Sequence, residues 1–174
     1  LISGEDKAVA DGIFEHYLPR FAGDILPSNI EGVVVSIADK LDSIVGCFSV
    51  GLIPTGSQDP YMLRRQAAGI VETILKKGLT LSLEETVEKS YKLYEPVFLE
   101  HLFKKGETGY KDFSGIRRSV LEFISLRLRT ILIDEGIRYD IIDASLSSFS
   151  DVLYDWQKAK VISRYLTTSL LKDI

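Results

Sequence analysis

Residues 33–68, VVVSIADKLDSIVGCFSVGLIPTGSQDPYMLRRQAA, read as helix, loop, helix. Ile30, Val33, Val34, Ile37, Leu41, Ile44, Val45 and Phe48 recur at helical spacing and share one stripe. At about 100° per residue, Asp39, Asp42 and Gly46 fall on the other side. Gly51 stops this helix, and Pro54-Thr55-Gly56-Ser57 has the small-residue chemistry of a loop. Asp59-Pro60 is a start signal: the acid can accept from free amides, and proline lacks an N–H that the first turn would leave unpaired. The second helix has Leu63, Ala67, Ile70, Val71 and Ile74 as its apolar stripe. It ends at Lys76-Lys77-Gly78, with cations at its negative end and a glycine able to turn left-handed. This pair of helices brings Asp39 and Asp42 toward Arg64 and Arg65 at one corner.

Outward from this pair the pattern stays helical. Residues 5–17 carry Val9, Ile13 and Tyr17 at helical spacing, until Pro19 and the Phe21–Pro27 segment break the run. Ser28-Asn29-Ile30-Glu31 reads as a capping box, and Ser82-Leu83-Glu84-Glu85 as a second. The helix after the second box is expected to reach about Tyr94, to be interrupted at Pro96 and to resume over Val97–Lys105. A polar loop follows over Gly106–Ser114, then a helix over Ile116–Glu135 with Ile116, Val120, Ile124, Leu128 and Ile131 in register. Gly136 ends it. Shorter helices are expected over Asp140–Leu146 and from Asp151 to about Leu171. No convincing stretch alternates as a strand would, so the fold class is all-α. The composition shifts at Gly78–Leu81, which predicts a boundary between a part of residues 1–79 and a part of residues 80–174.

The chain has 174 residues, 45% hydrophobic and 26% charged, as globular domains do. Its net charge of −4 gives no bulk signal for nucleic acid, so any RNA contact must come from local Arg and Lys clusters. Cys47 is the single cysteine, which excludes an internal disulfide and fits a reducing compartment; its apolar helix marks it as a small packing residue. No apolar run approaches the about 18 residues of a membrane span, and no signal peptide is present. Both ends read as helices in progress, which predicts a piece of a longer protein.

Asp39 and Asp42, spaced i, i+3, could ligate a metal, accept from arginines, or be solvated. The neighbouring Glu15, His16 and Asp24 show no metal-ligand spacing, so no metal is expected. His16 and His101 read as packing or surface residues, and no Ser–His–Asp or Cys–His arrangement suggests a catalytic residue. The loop 54–60 leads to a helix N-terminus where amides could hold phosphate, but it lacks the Gly-Lys-Ser/Thr of a P-loop and Asp59 competes for those amides. Arg64 borders the apolar stripe and could pair with Asp39 or Asp42, or meet an RNA phosphate; Arg65 points outward. On the Ile116–Glu135 helix, Arg118 and Arg129 fall on the polar side, while Arg117 falls within the apolar side and Arg127 completes the cluster. Tyr91, Tyr94, Tyr110 and Phe113 lie nearby; aromatics beside cations suit unstacked bases, and at helical spacing they also suit a core.

EHYLPRFAGDILP, IADKLDSIVGCFSVGLIPTGSQDPYMLRRQAAGIVETIL and LEFISLRLRTILIDEGIRYDIIDASL resemble consecutive blocks of the glycyl-tRNA synthetase beta subunit family of bacterial type. The resemblance spans nearly the whole chain. It implies a C-terminal region of that subunit: the last portion of an HD-like helical domain over residues 1–79, then an incomplete DALR-type anticodon-binding domain over residues 80–174. It implies a tRNA-binding part of a cytoplasmic glycine–tRNA ligase that uses ATP as a whole alpha/beta assembly. The partners implied are glycine tRNA and the alpha subunit, with no membrane and no cofactor in this part. Lys40, Arg64, Arg65, Arg118 and Arg129 are the cations expected to meet tRNA. Of the His, His-Asp and later Asp of metal-dependent HD phosphohydrolases, only Asp39 has a match, which leaves Asp39 and Asp42 as a structural or vestigial acidic pair. The alternatives are an HD-type phosphohydrolase remnant and a helical scaffold within the synthetase.

Overall fold

The computed structural model describes residues 4–105 and 113–147, with residues 164, 165 and 168. Six helices follow in order: α1 (Lys7–Glu15), α2 (Ile30–Ser49), α3 (Leu63–Lys77), α4 (Leu83–Lys105), α5 (Phe113–Asp134) and α6 (Tyr139–Ser147). No strand occurs among the described residues, apart from an isolated bridge between Thr55 and Gln58 in the α2–α3 loop, so the fold is all-α. No helix among them is long and apolar enough to cross a membrane. The helix expected over Asp151–Leu171 lies outside the described residues except at positions 164, 165 and 168, which are helical. Residues 106–112, with Tyr110, and the side chain of His101 also lie outside them.

α2 is the centre of the bundle, with α1, α3, α4 and α5 all packed against it. Val33, Ile37, Leu41, Ile44, Val45 and Phe48 are buried as their spacing predicts, but Ile30 and Val34 are 59% and 58% exposed, because the start of α2 turns Gly32, Val33 and Ser36 inward instead. All five stripe residues of α3, Leu63 to Ile74, are buried. α5 buries Ile116, Val120, Ile124 and Leu128, and then Leu132 in place of Ile131, keeping the four-residue step that lays a ridge along a neighbouring helix. One hydrophobic cluster runs from Val33 to Ile142, so residues on both sides of Gly78–Leu81 share it. Each fully buried Leu or Ile there contributes about 1.5–3 kcal/mol relative to exposure.

Several local expectations are corrected. The stripe Val9, Ile13 and Tyr17 does not face the core: Ile13 and Tyr17 are each 65% exposed, and α1 instead buries Gly12. α1 docks on α2 by polar contacts rather than by that stripe. The Glu15 carboxylate accepts from the Ser28 amide at 2.8 Å, from the Ser28 hydroxyl and from the Asn29 amide at 3.4 Å. Ser28 is therefore spent on Glu15, and the N-cap of α2 is Asn29, whose Oδ1 accepts from the Gly32 amide at 2.6 Å. The second box does cap its helix: the Glu85 amide donates to Ser82 Oγ at 3.2 Å.

α3 begins at Leu63, three residues after Pro60. Asp59 still caps it from outside, accepting from the Leu63 amide at 2.8 Å and the Arg64 amide at 3.0 Å. That reach is made by a tight turn in which Met62 sits at φ 55°, in the left-handed region. Gly78, at φ 67°, ends α3 as predicted. Pro96 does not interrupt α4, which runs through it with the proline on the exposed side. Phe113 and Ser114, expected in a loop, open α5.

Candidate functional site

The corner predicted from the helix–loop–helix exists, and it is concave. The Leu18–Pro19 turn after α1, the middle of α2 and the start of α3 enclose a cleft of about 390 Å³. Tyr17, Pro19 and Arg20 line it from the turn; Asp39, Lys40 and Ser43 from α2; Tyr61, Met62, Arg65 and Gln66 from the α3 side. Its volume is at the small end of the range for ligand sites, about 300–1,000 Å³.

Lys40 is not the surface cation the sequence suggested. It is 4% exposed. Its ammonium donates to the carbonyls of His16 and Leu18, both at 2.9 Å, and to Ser36 Oγ at 2.8 Å. These carbonyls are left over where α1 ends and the chain turns, and a buried cation on the neighbouring helix is what satisfies them. Burial pulls the Lys40 pKa down to about 8, with Asp39 acting the other way.

The remaining cations divide by partner. Arg20 grips Asp24 through Nε at 2.8 Å and holds its carboxyl well below the usual range. Arg117 pairs with Glu84, so its place on the apolar side of α5 is explained by an ion pair to α4. Arg129 forks onto Asp143 of α6 at 2.9 and 3.1 Å, which raises its pKa and lowers that of Asp143. Arg129 is therefore engaged within the protein, not bare as its polar position suggested. By contrast, Arg64, Arg65 and Arg118 make no ion pair among the described residues: Arg64 donates to the Gln58 carbonyl at 3.3 Å, Arg65 reaches only Met62 Sδ at 3.5 Å, and Arg118 is exposed. Arg127 stacks its guanidinium over Phe123 at 5.5 Å; burial and the nearby Arg64 lower its pKa, while Asp59 opposes them.

Of the two roles open to Arg64, the ion pair with Asp39 or Asp42 does not form. Asp42 accepts from the Tyr94 hydroxyl at 2.5 Å, and that phenol is pushed up to about 12, first by burial and then by this bond. Asp39 is exposed in the cleft wall. The i, i+3 pair is thus split between two environments. His16 turns Nδ1 to the Ile13 carbonyl at 2.6 Å. No three His, Cys, Asp or Glu side chains among the described residues come together as a metal site.

The loop of residues 54–58 borders a second, smaller hollow of about 200 Å³, while Asp59 occupies the α3 amides that a phosphate would need. The sequence reading missed Tyr17, Tyr61 and Gln66 as cleft residues. The available signal was an aromatic beside Pro60 at a loop end, since binding residues concentrate on loops set by a rigid scaffold. Gln66 holds its amide in place by donating to the Tyr61 carbonyl at 3.1 Å, and its Oε1 is buried without a donor.

A family model described as glycyl-tRNA synthetase beta subunit matches residues 1–147. The chain is similar to the glycine–tRNA ligase beta subunit of Halalkalibacterium halodurans, 47% identical over 174 residues, covering 99% of this chain and 24% of that protein. It is 44% identical over 172 residues to that of Syntrophomonas wolfei, covering 98% of this chain and 24% of the relative. Against that of Desulforamulus reducens the identity is 43% over 175 residues, covering 100% of this chain and 23% of the relative. The chain thus spans about a quarter of the length of the curated relatives it matches.

Proposed function

The chain belongs to the glycyl-tRNA synthetase beta subunit family, and from that premise we propose that it is a tRNA-binding part of a glycine–tRNA ligase. The observation that carries the reading is the sorting of cations. In a chain of net charge −4, Arg20, Arg117 and Arg129 are tied to carboxylates and Arg127 lies over Phe123, while Arg64, Arg65 and Arg118 keep donors for an outside anion. Phosphate contacts need charge only at the footprint, and arginine's planar fork matches a phosphate. Lys40 and Arg129 leave the proposed set, because each already serves the protein. Asp42 serves as a structural acid, bonded to the Tyr94 hydroxyl.

In this reading the chain positions tRNA and forms no bond itself. Aminoacylation and ATP consumption belong to the whole alpha/beta assembly in the cytoplasm, with glycine tRNA and the alpha subunit as partners. We read residues 1–79 as the end of an HD-like part and residues 80–174 as the start of a DALR-type part, joined through a shared core.

The test is a titration with glycine tRNA and an unrelated tRNA at two salt concentrations. Binding should weaken with salt, and Arg118→Glu should lessen the log–log salt slope by about 1. Unchanged affinity and slope after reversal of Arg64, Arg65 and Arg118 together would remove this reading.

A further inference from the structure

We propose that the cleft at the α1–α2–α3 corner takes an unstacked nucleotide of single-stranded RNA. Its base lies against Tyr17 and Tyr61, its phosphate on Arg65 and its ribose hydroxyl on Asp39. The inference rests on the tRNA-binding reading and specifies which element of the RNA this corner takes.

Five observations converge. Tyr17 and Tyr61 come from different segments, line the same cleft and are 65% and 50% exposed. Tyr17 packs against the His16 ring at 3.8 Å between centroids and is still largely exposed, and two exposed aromatics lining one concavity suit a flat ring, which every base offers. Of the three cations lining the cleft, Arg20 is held by Asp24 and Lys40 is buried on carbonyls; Arg65 alone keeps its guanidinium for a ligand. Asp39 accepts no hydrogen bond among the described residues and can take only a donor. A phosphate oxygen is not one; a 2′-hydroxyl is, and it is what separates RNA from DNA. The volume of about 390 Å³ admits one nucleotide and excludes a duplex. Finally, Met62 is held left-handed between Tyr61 and the first turn of α3, fixing the tyrosine's place on the rim.

The experiment is fluorescence anisotropy with labelled hexaadenylate RNA, the DNA of the same sequence, a blunt RNA duplex and glycine tRNA. The chain is compared with its Tyr17→Ala, Tyr61→Ala, Tyr61→Phe, Arg65→Gln and Asp39→Ala variants, each checked for its melting temperature. The expected result is that the single strand binds in preference to the duplex. Each tyrosine-to-alanine change should weaken it about tenfold, in line with the loss of one base–aromatic stack, and Tyr61→Phe should keep it within about twofold. Arg65→Gln should lower both affinity and salt slope. The preference of RNA over DNA should disappear in Asp39→Ala, which leaves the 2′-hydroxyl no acceptor there. No binding of the hexamer, or equal binding by the tyrosine-to-alanine variants, would overturn the proposal. If glycine tRNA still binds with salt dependence in that case, the cleft assignment falls and the tRNA-binding reading stands; if tRNA fails as well, both fall.

Discussion

Replacing Gly32 by alanine should destabilise the chain, although alanine is the better helix former. Gly32 lies in the first turn of α2, buried under the end of α1. A Cβ there would stand 2.9 Å from Glu15 Cβ and 3.0 Å from Asn29 Oδ1, and closer still to Glu15 Oε2. Contacts below 3.0 Å force something to move. The Glu15 carboxylate is the free end that can go, and with it go the bonds from the Ser28 amide, the Ser28 hydroxyl and the Asn29 amide. Two of these are short. At a net of about 1 kcal/mol each, with less for the 3.4 Å bond, the loss is roughly 2–3 kcal/mol. Helix propensity returns at most about 1 kcal/mol. The net expectation is a loss of about 1–2 kcal/mol. Urea unfolding followed by circular dichroism measures it, with Glu15→Ala and the double variant completing a cycle. Once the carboxylate is gone, the alanine at position 32 should cost less, giving a coupling of at least about 1 kcal/mol. Additivity within about 0.5 kcal/mol would refute the argument that the clamp is what the extra methyl breaks.

Three further outcomes are expected. The Glu15 carboxyl is held below its ordinary value, chiefly by the Ser28 hydroxyl, so the unfolded chain holds the proton more readily. The clamp's contribution is then complete above the unfolded pKa and lost as pH falls through the folded one; the stability gap between the chain and Glu15→Gln should shrink between pH 5 and acid, and a pH-independent gap would contradict this. Lys40 is depressed to about 8 from 10.5, so between those values the unfolded chain again holds more protons and stability should rise with pH; this rise should vanish in Lys40→Met, which should also leave the salt slope of RNA binding unchanged. Met62→Gly should raise stability by about 1 kcal/mol by removing a left-handed side-chain penalty, and a clear loss would show that the Met62 side chain matters more than its backbone.

The helices were legible in the sequence because their apolar stripes are long and periodic: every stripe residue of α3 is buried. What periodicity could not give was the docking of α1. Val9, Ile13 and Tyr17 form a good stripe, yet the packing was decided by a glycine, a glutamate and a lysine that meet only in three dimensions. Pro96 shows a similar limit, since local sterics disfavour a helix there and α4 nonetheless runs through it. At the candidate site, the corner itself was readable from residues 33–68. Which cations remain available was not, because Lys40 and Arg129 owe their partners to segments 24 and 14 residues away in sequence. The two tyrosines were hidden for the same reason: a cleft is a property of three segments, and each contributes little to any local pattern.

The core that runs from Val33 to Ile142 without a break at Gly78–Leu81 has a mechanical consequence. Arg65 stands on α3 and Arg118 on α5, and the faces of these helices opposite solvent are interlocked through Leu63, Ile70, Ile116 and Ile124. As the proposed anchor points they are therefore marks on one ruler rather than the tips of two fingers. An RNA that touches both must supply the bend itself, and one whose backbone cannot match that fixed span is rejected by geometry before any base is read.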